Sequence, residues 1–291
     1  MSAPLARIAE LRRSASLRLA AVGQDSAALE ADLLLGAATG LERSQLIAWP
    51  EACVSVPQQQ HFEQLIARRL AGEPIAYLLG WREFWSLKLH VSPATLIPRP
   101  ETETLVEHVL DHLPAAAALR VADLGTGSGA IAVALARERP HWTLFGIERA
   151  AEALSLAAFN TTELQLKNLN LIRGNWSRAL GGGSVDALLS NPPYVRADDP
   201  HLANGDLRFE PATALSAGRD GLNAIRSILA DAPRCLKPGG LLAIEHGWDQ
   251  GPSLRELMAA KGFEGIETLR DLSGQERVTR AHHSGKGLMS T

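Results

Sequence analysis

The chain has 291 residues, enough for a sizeable core and two domains, and its 46% hydrophobic and 21% charged content suits a soluble globular protein rather than a long disordered one. A formal net charge of −3 gives no reason to expect an electrostatic grip on nucleic-acid phosphates. No apolar run reaches the ~18 residues of a membrane span, and Cys53 and Cys235 lie far apart without partners at metal-ligand spacing, so no metal is expected and reduced thiols in the cytoplasm are.

The N-terminal "MSAPLARIAELRRSASLRLAAVG" is rich in Arg and Ser, as transit peptides are, but Leu5, Ile8, Leu11 and Leu19 fall near helical spacing and favour an amphipathic first helix. "SAALEADLLLGAATG" offers Ser26 as N-cap and Gly40 as stop, and "VPQQQHFEQLIARRLAG" runs from Pro57 to Gly72. Residues 1–82 therefore read as a small bundle of three to five helices. From Glu83 to Val91 the apolar period shortens to two, as in a half-exposed strand or hairpin. Pro98 and Pro100 then hold the chain extended, so residues 83–99 are expected to be a hairpin linker.

Residues 100–291 alternate strand and helix. Apolar runs at "LRVADLG", "WTLFGIE", "LNLIRG", "VDALLSN" and "GGLLAIEH" are separated by helical patterns, and "FEGIETLRDL" and "ERVTRAHH" would add edge strands. The fold class is α/β, a mostly parallel sheet covered by helices. Ligands of such sheets sit at the carboxyl ends of the strands. The closing "AHHSGKGLMST" is read as a frayed tail, and His282-His283 alone make no metal site.

Three strand ends carry unusual residues. The first is Gly125-Thr126-Gly127-Ser128-Gly129, a turn whose glycines let backbone approach a ligand closely. About 20 residues on, Glu148 ends the next strand and can accept from a ribose diol. Gly125, Gly127 and Ala130 also satisfy a dinucleotide fingerprint, so two cofactors fit. Asp123 just before the turn would sit awkwardly beside a pyrophosphate but suits the amino-acid end and sulfonium of S-adenosylmethionine. Past the third strand, Asn175 could meet an adenine edge and Trp176 its face.

The fourth strand stops at Asn191-Pro192-Pro193-Tyr194. An Asn oxygen and a nearby carbonyl can accept both N–H bonds of a planar –NH₂ group, pin it, and stabilise the positive charge that grows on nitrogen during methylation. Pro192 and Pro193 fix the backbone and bring no competing N–H, while Tyr194 could pack on a planar target. Asn191, Pro192 and Tyr194 are the candidate catalytic set, and all four residues the candidate substrate contact.

On "IPRPETE", "DLGTGSGAIAVALA", "NPPYVRADDPHLANGDLRFEPATAL", "LKPGGLLAIEHGWDQG" and "LRDLSGQERVTRA", the chain resembles, over nearly its whole length, the PrmC/HemK family of release factor glutamine N5-methyltransferases. The resemblance implies a helical substrate-recognition domain joined by a hairpin to a seven-stranded class I methyltransferase domain. It also implies S-adenosylmethionine as cofactor and, as substrate, the glutamine of the Gly-Gly-Gln motif of class 1 release factors. Carried over, Gly125 to Gly129 make the cofactor turn, Glu148 holds the ribose, Trp176 lies by the adenine, and Asn191 touches both ligands. Many relatives have Asp at the position of Glu148 and an acid at that of Asn175. A monomer without direct nucleic-acid or membrane contact is expected. The alternatives are an adenine-N6 methyltransferase on DNA or RNA, which predicts a basic or base-flipping face; a binding module that has lost catalysis; and a nicotinamide oxidoreductase, which leaves the tetrapeptide unexplained.

Overall fold

A computed structural model describes residues 5–203 and 205–285. The chain divides into two compact units: Met1–Trp81 with Gly205–Phe209, and Arg82–Asn204 with Glu210–Thr291. The division falls inside the first hairpin strand. All of the hairpin beyond Trp81 therefore groups with the second unit, and the short segment from 205 to 209 groups with the first.

In the first unit five helices, α1 (Ile8–Ala21), α2 (Ala27–Thr39), α3 (Arg43–Ala48), α4 (Val56–Leu70) and α5 (Ile75–Leu79), enclose Ile8, Leu19, Leu34, Leu35, Phe62 and Ile66. Helix α4 starts with a Ser55/Gln58 capping box and Pro in its first turn; α2 ends at Gly40 with φ +76°. Ser26 occupies the N-cap position of α2 without making a side-chain bond. Two acids buried in α2 are paired. Arg12 and Arg43 bond Asp32, while Arg69 bonds Glu30 at 2.7 and 3.0 Å.

The second unit opens with the hairpin β1 (Trp81–Phe84) and β2 (Leu87–His90), which turns through Trp85 and Ser86 at φ +52° and +56°. Such angles match the turn that pairs two twisted strands. A 3₁₀ turn at Pro100–Thr102 leads into α6 (Glu103–His112). There follow β3 (Arg120–Leu124), α7 (Ala130–Glu138), β4 (Thr143–Glu148), α8 (Ala151–Glu163), β5 (Leu169–Arg173) and β6 (Val185–Ser190). The last elements are α9 (Ala212–Leu215), α10 (Asn223–Cys235), β7 (Leu236–Glu245), α11 (Gly251–Ala260), β8 (Phe263–Arg270) and β9 (Glu276–His283).

The sheet order is β5-β4-β3-β6-β7-β9-β8, with β9 antiparallel to both neighbours and the other pairings parallel. Strand alternation sends Ala187, Leu189, Leu241 and Ala243 into one core, and Leu188, Leu242 and Ile244 into another on the opposite face. Of the two closing strands expected at the edge, β8 is an edge strand and β9 lies between β7 and β8. Ala281, His282 and His283, expected in a frayed tail, end β9 because its ladder with β7 extends to Leu241↔His282. Residues 286–291 of that tail lie outside the described residues. The winding direction reverses between β3 and β6, so their carboxyl ends diverge and open a crevice.

Candidate active site

A cavity of about 430 Å³, within the usual range for small-molecule sites, occupies that crevice. Its sheet side is built from the ends of β3, β4, β5 and β6. The opposite side comes from residues 94–102, the 211–218 segment and the first turn of α10.

The turn after β3 is fixed from below. Gly125 and Thr126 both donate to the Ile147 carbonyl, at 2.8 and 3.0 Å, and Gly129 donates to that of Thr126. Gly125 has φ +74°, and a Cβ there would stand 3.1 Å from Cζ3 of Trp176. Gly127, at φ +56°, turns its N–H to Glu148 Oε2 at 3.1 Å. Asn160 of α8 donates to the Ser128 carbonyl and bonds both backbone groups of His90, joining the turn to β2. Asp123 is 1% exposed and does not line the cavity. Its Oδ2 accepts from the Thr126 hydroxyl at 2.5 Å, so it braces the turn from beneath instead of facing a ligand. Burial pushes its carboxyl up to about 7, with the Thr126 hydroxyl and an Ala132 backbone N–H opposing.

Glu148 ends β4 on the cavity wall. Its Oε1 accepts from the Arg149 and Ala150 N–H groups at 2.7 and 2.9 Å. With Gly127 on Oε2, three of about four acceptor sites are in use and the carboxylate is locked in place. Asn175 and Trp176 follow β5. Trp176 takes φ +51°, uncommon for a bulky residue, and its ring covers Gly125.

At the end of β6, Ser190 bonds the Leu124 carbonyl at 2.7 Å and ties that strand to β3. Asn191 lines the cavity, and its Nδ2 donates to Thr102 Oγ1 at 3.0 Å. With the nitrogen so engaged, Oδ1 has no protein donor among the described residues. Pro193 lines the cavity too; Pro192 and Tyr194 do not. The Tyr194 hydroxyl points instead to Glu245 Oε1 at 3.4 Å, and its carbonyl accepts from Gln250 Nε2 at 3.0 Å. Burial and the neighbouring Glu245 carboxylate raise the Tyr194 phenol well above its usual range. Beyond it, Val195 pairs with Leu215 and Ala217, which brings the 211–218 wall back to the strand end. That wall is pinned by Glu210, whose buried carboxylate takes the Ile97 N–H at 3.0 Å and the Arg99 guanidinium.

The structure thus gathers Gly125, Thr126, Gly127, Ser128, Glu148, Asn175, Trp176, Asn191 and Pro193 around one cavity. Gly129, the N-cap of α7, and Pro192 and Tyr194 do not line it. Arg99, Thr102, Glu210 and Glu245 were not singled out from sequence. The motifs "IPRPETE" and "RFEPATAL" held three of them, but nothing in the spacing tells that these segments meet.

A model described as PrmC N-terminal domain matches residues 10–80, and one described as Methyltransferase small domain matches residues 102–209. Among solved structures, the hMettl16 catalytic domain in complex with MAT2A 3'UTR hairpin 6 superposes with a TM-score of 0.56 at 18% identity, covering 78% of this chain and 84% of that one. A methyltransferase from Pyrococcus furiosus gives 0.52 at 18%, covering 76% and 98%. Sheet order, strand-end cavity and domain match define a class I S-adenosylmethionine-dependent methyltransferase. Release factor glutamine methyltransferase of Pseudomonas aeruginosa is 54% identical over 87% of this chain and 92% of its own length; that of Salmonella typhimurium is 48% identical over 88% and 92%. The chain belongs to the release factor glutamine methyltransferase family.

Proposed function

We propose that this enzyme methylates the side-chain amide nitrogen of the glutamine in the Gly-Gly-Gln motif of class 1 peptide-chain release factors. The observation that carries the reading is the placement of Asn191. It stands on the wall of the cavity that also holds the glycine turn and Glu148, with its nitrogen tied to Thr102 and its oxygen left as the acceptor.

The residues fit S-adenosylmethionine. Gly125 and Gly127 leave backbone where a Cβ or a side chain would stand, Glu148 presents fixed carboxylate oxygens for a diol, and Trp176 offers an aromatic wall. When bound, S-adenosylmethionine supplies an electrophilic methyl carbon on a positively charged sulfur. The protein's own part is to hold and polarise the acceptor. Asn191 Oδ1 and a backbone carbonyl of its turn accept the two amide N–H bonds, which favours pyramidalisation and frees the lone pair. The same oxygens stabilise charge developing on nitrogen. Pro193 gives the amide plane an apolar surface without a competing donor, and orientation supplies much of the rate. No strong general base is needed, because an N-protonated amide loses its proton readily to water.

In this reading residues 1–82 recognise the release factor, the hairpin is a linker and the remainder does the chemistry; the enzyme acts as a cytoplasmic monomer. The test incubates the protein with tritiated S-adenosylmethionine, a release factor and DNA. Label on the release factor, lost when its Gly-Gly-Gln glutamine is replaced, supports the reading. Label confined to the DNA overturns it.

A further inference from the structure

Among the described residues four other than glycine take positive φ, and of these Trp176 alone lines the cavity. For a bulky side chain such a backbone angle is strained, and it persists only where the surroundings hold it. Trp176 lies just past β5 and opens the 3₁₀ turn Trp176–Ala179. Upstream of it, the Gly174 N–H is bonded to the Glu148 carbonyl at 3.0 Å.

Downstream, the hold comes from the far end of α10. Ser177, next on the chain and fully buried, donates its hydroxyl to Asp231 Oδ2 at 2.8 Å. Arg234, three residues along the same helix, donates to both Asp231 oxygens at 2.6 and 2.8 Å. It also grips the turn itself: Nη1 donates to the Leu180 carbonyl at 2.8 Å and Nη2 to the Ser177 carbonyl at 3.2 Å. The Cys235 thiol reaches that Ser177 carbonyl as well, at 3.5 Å. The Arg234 guanidinium holds the Asp231 carboxyl below the usual carboxylate range, so the group stays an acceptor for the Ser177 hydroxyl.

We propose that Asp231 and Arg234 are positioning residues that hold Trp176 over Gly125 and so set the aromatic wall against which the adenine of S-adenosylmethionine packs. The inference rests on the reading of Trp176 given above and deepens it. Neither Asp231 nor Arg234 lines the cavity, so both act through the backbone of the turn.

Gly174 and Ser177 are two fixed points that bracket Trp176 and keep it in the left-handed region. Released at Ser177, the residue would relax to negative φ, and its Cβ would turn with the backbone. The ring would then leave Gly125, where a Cβ would stand 3.1 Å from Cζ3 of the indole. Closing the turn does not by itself need α10. Its own backbone does that, with the Arg178 N–H on the Asn175 carbonyl at 3.3 Å and the Leu180 N–H on that of Ser177 at 2.9 Å. What the two side chains add is a fixed ring, and a wall already in place costs less ordering when a ligand arrives.

The test compares wild type, Asp231→Ala, Trp176→Ala and the double variant in the full chain. It measures S-adenosylmethionine affinity by calorimetry, and kcat for label transfer at saturating cofactor. Trp176→Ala should weaken cofactor binding by about 10- to 100-fold, the loss of one stacking partner. Asp231→Ala should weaken it by about 5- to 20-fold, with kcat within about twofold of wild type. In the Trp176→Ala background the Asp231 change should add less than about twofold, because the ring it positions is gone. Unchanged affinity in Asp231→Ala, or the same loss in both backgrounds, overturns the positioning role. Should Asp231→Ala fail to fold, Arg234→Met, which removes the bonds to both turn carbonyls, takes its place in the same cycle. Wild-type affinity in Trp176→Ala sinks instead the reading of Trp176 as the cofactor's wall, a result distinct from either of these.

Discussion

Asn191 faces two demands: its backbone ends a buried strand, and its amide stands on the wall of a ligand cavity. Asn191→Ala should therefore cut methyl transfer by at least about 100-fold while S-adenosylmethionine affinity changes by no more than about threefold. Single-turnover kinetics with equilibrium dialysis separates the two, and a collapse of binding would make Asn191 chiefly a cofactor ligand. Asp123 makes a different prediction because it lies under the glycine turn. Its folded-state carboxyl, raised to about 7, holds a proton that the unfolded chain gives up near pH 4. Between those values the unfolded state binds fewer protons, so stability falls as pH rises, by on the order of 3–4 kcal/mol for this group alone. Asp123→Asn should flatten that slope, with a smaller Tm difference between pH 5 and pH 8 than in wild type. An unchanged slope in calorimetry would show that Asp123 ionises freely.

Asn160 shows how elements distant in sequence are locked together. From the last turn of α8 it bonds the His90 N–H and carbonyl on β2 and the Ser128 carbonyl in the glycine turn, at 2.8, 3.0 and 2.9 Å. It is 1% exposed, so truncation leaves three backbone groups without partners. Asn160→Ala should cost about 2–4 kcal/mol in denaturant unfolding. Asn160→Asp should cost more, because it sets a buried carboxylate against two carbonyl oxygens. Equal losses for the two variants would contradict this bonding. Nothing in "LAAFNTTELQ" marks this residue, since a helical Asn is ordinarily a surface residue. Local pattern gave the strands, the glycine turn and the Asn191–Tyr194 break, because alternation, positive φ and proline are written in adjacent residues. It could not give Thr102 beneath Asn191, Arg99 on Glu210, or the Tyr194 side chain turned from the cavity to Glu245. Those contacts depend on how segments some 50 to 110 positions apart are brought together. Residues 281–283 fall both in the strand expected at "ERVTRAHH" and in the tail expected at "AHHSGKGLMST", and the structure gives the strand. His-His after an Arg looks like a tail, but an antiparallel strand beside β7 needs only backbone to form its ladder.

The division into units sets limits on what each part can do. Every residue around the cavity belongs to the second unit, whereas Gly205–Phe209 belongs to the first although both flanks do not. Within the first unit Asp206 bonds the buried Arg69 at 3.1 Å, and Arg208 bonds the Ala71 carbonyl. A chain of residues 82–291 thus keeps all the groups proposed to hold S-adenosylmethionine and loses those proposed to recognise the release factor. It should bind S-adenosylmethionine within about fivefold of the full chain, because no cavity contact is removed. Its kcat/KM for the release factor should fall by about 1,000-fold or more, since a protein substrate is held mainly by contacts remote from the reacting nitrogen. Its activity on a short Gly-Gly-Gln peptide should change far less, because that substrate cannot span a separate recognition surface. Calorimetry for the cofactor and label transfer to both substrates give the comparison. Release factor and peptide losing activity equally would mean that the helical unit supports the catalytic geometry and not recognition.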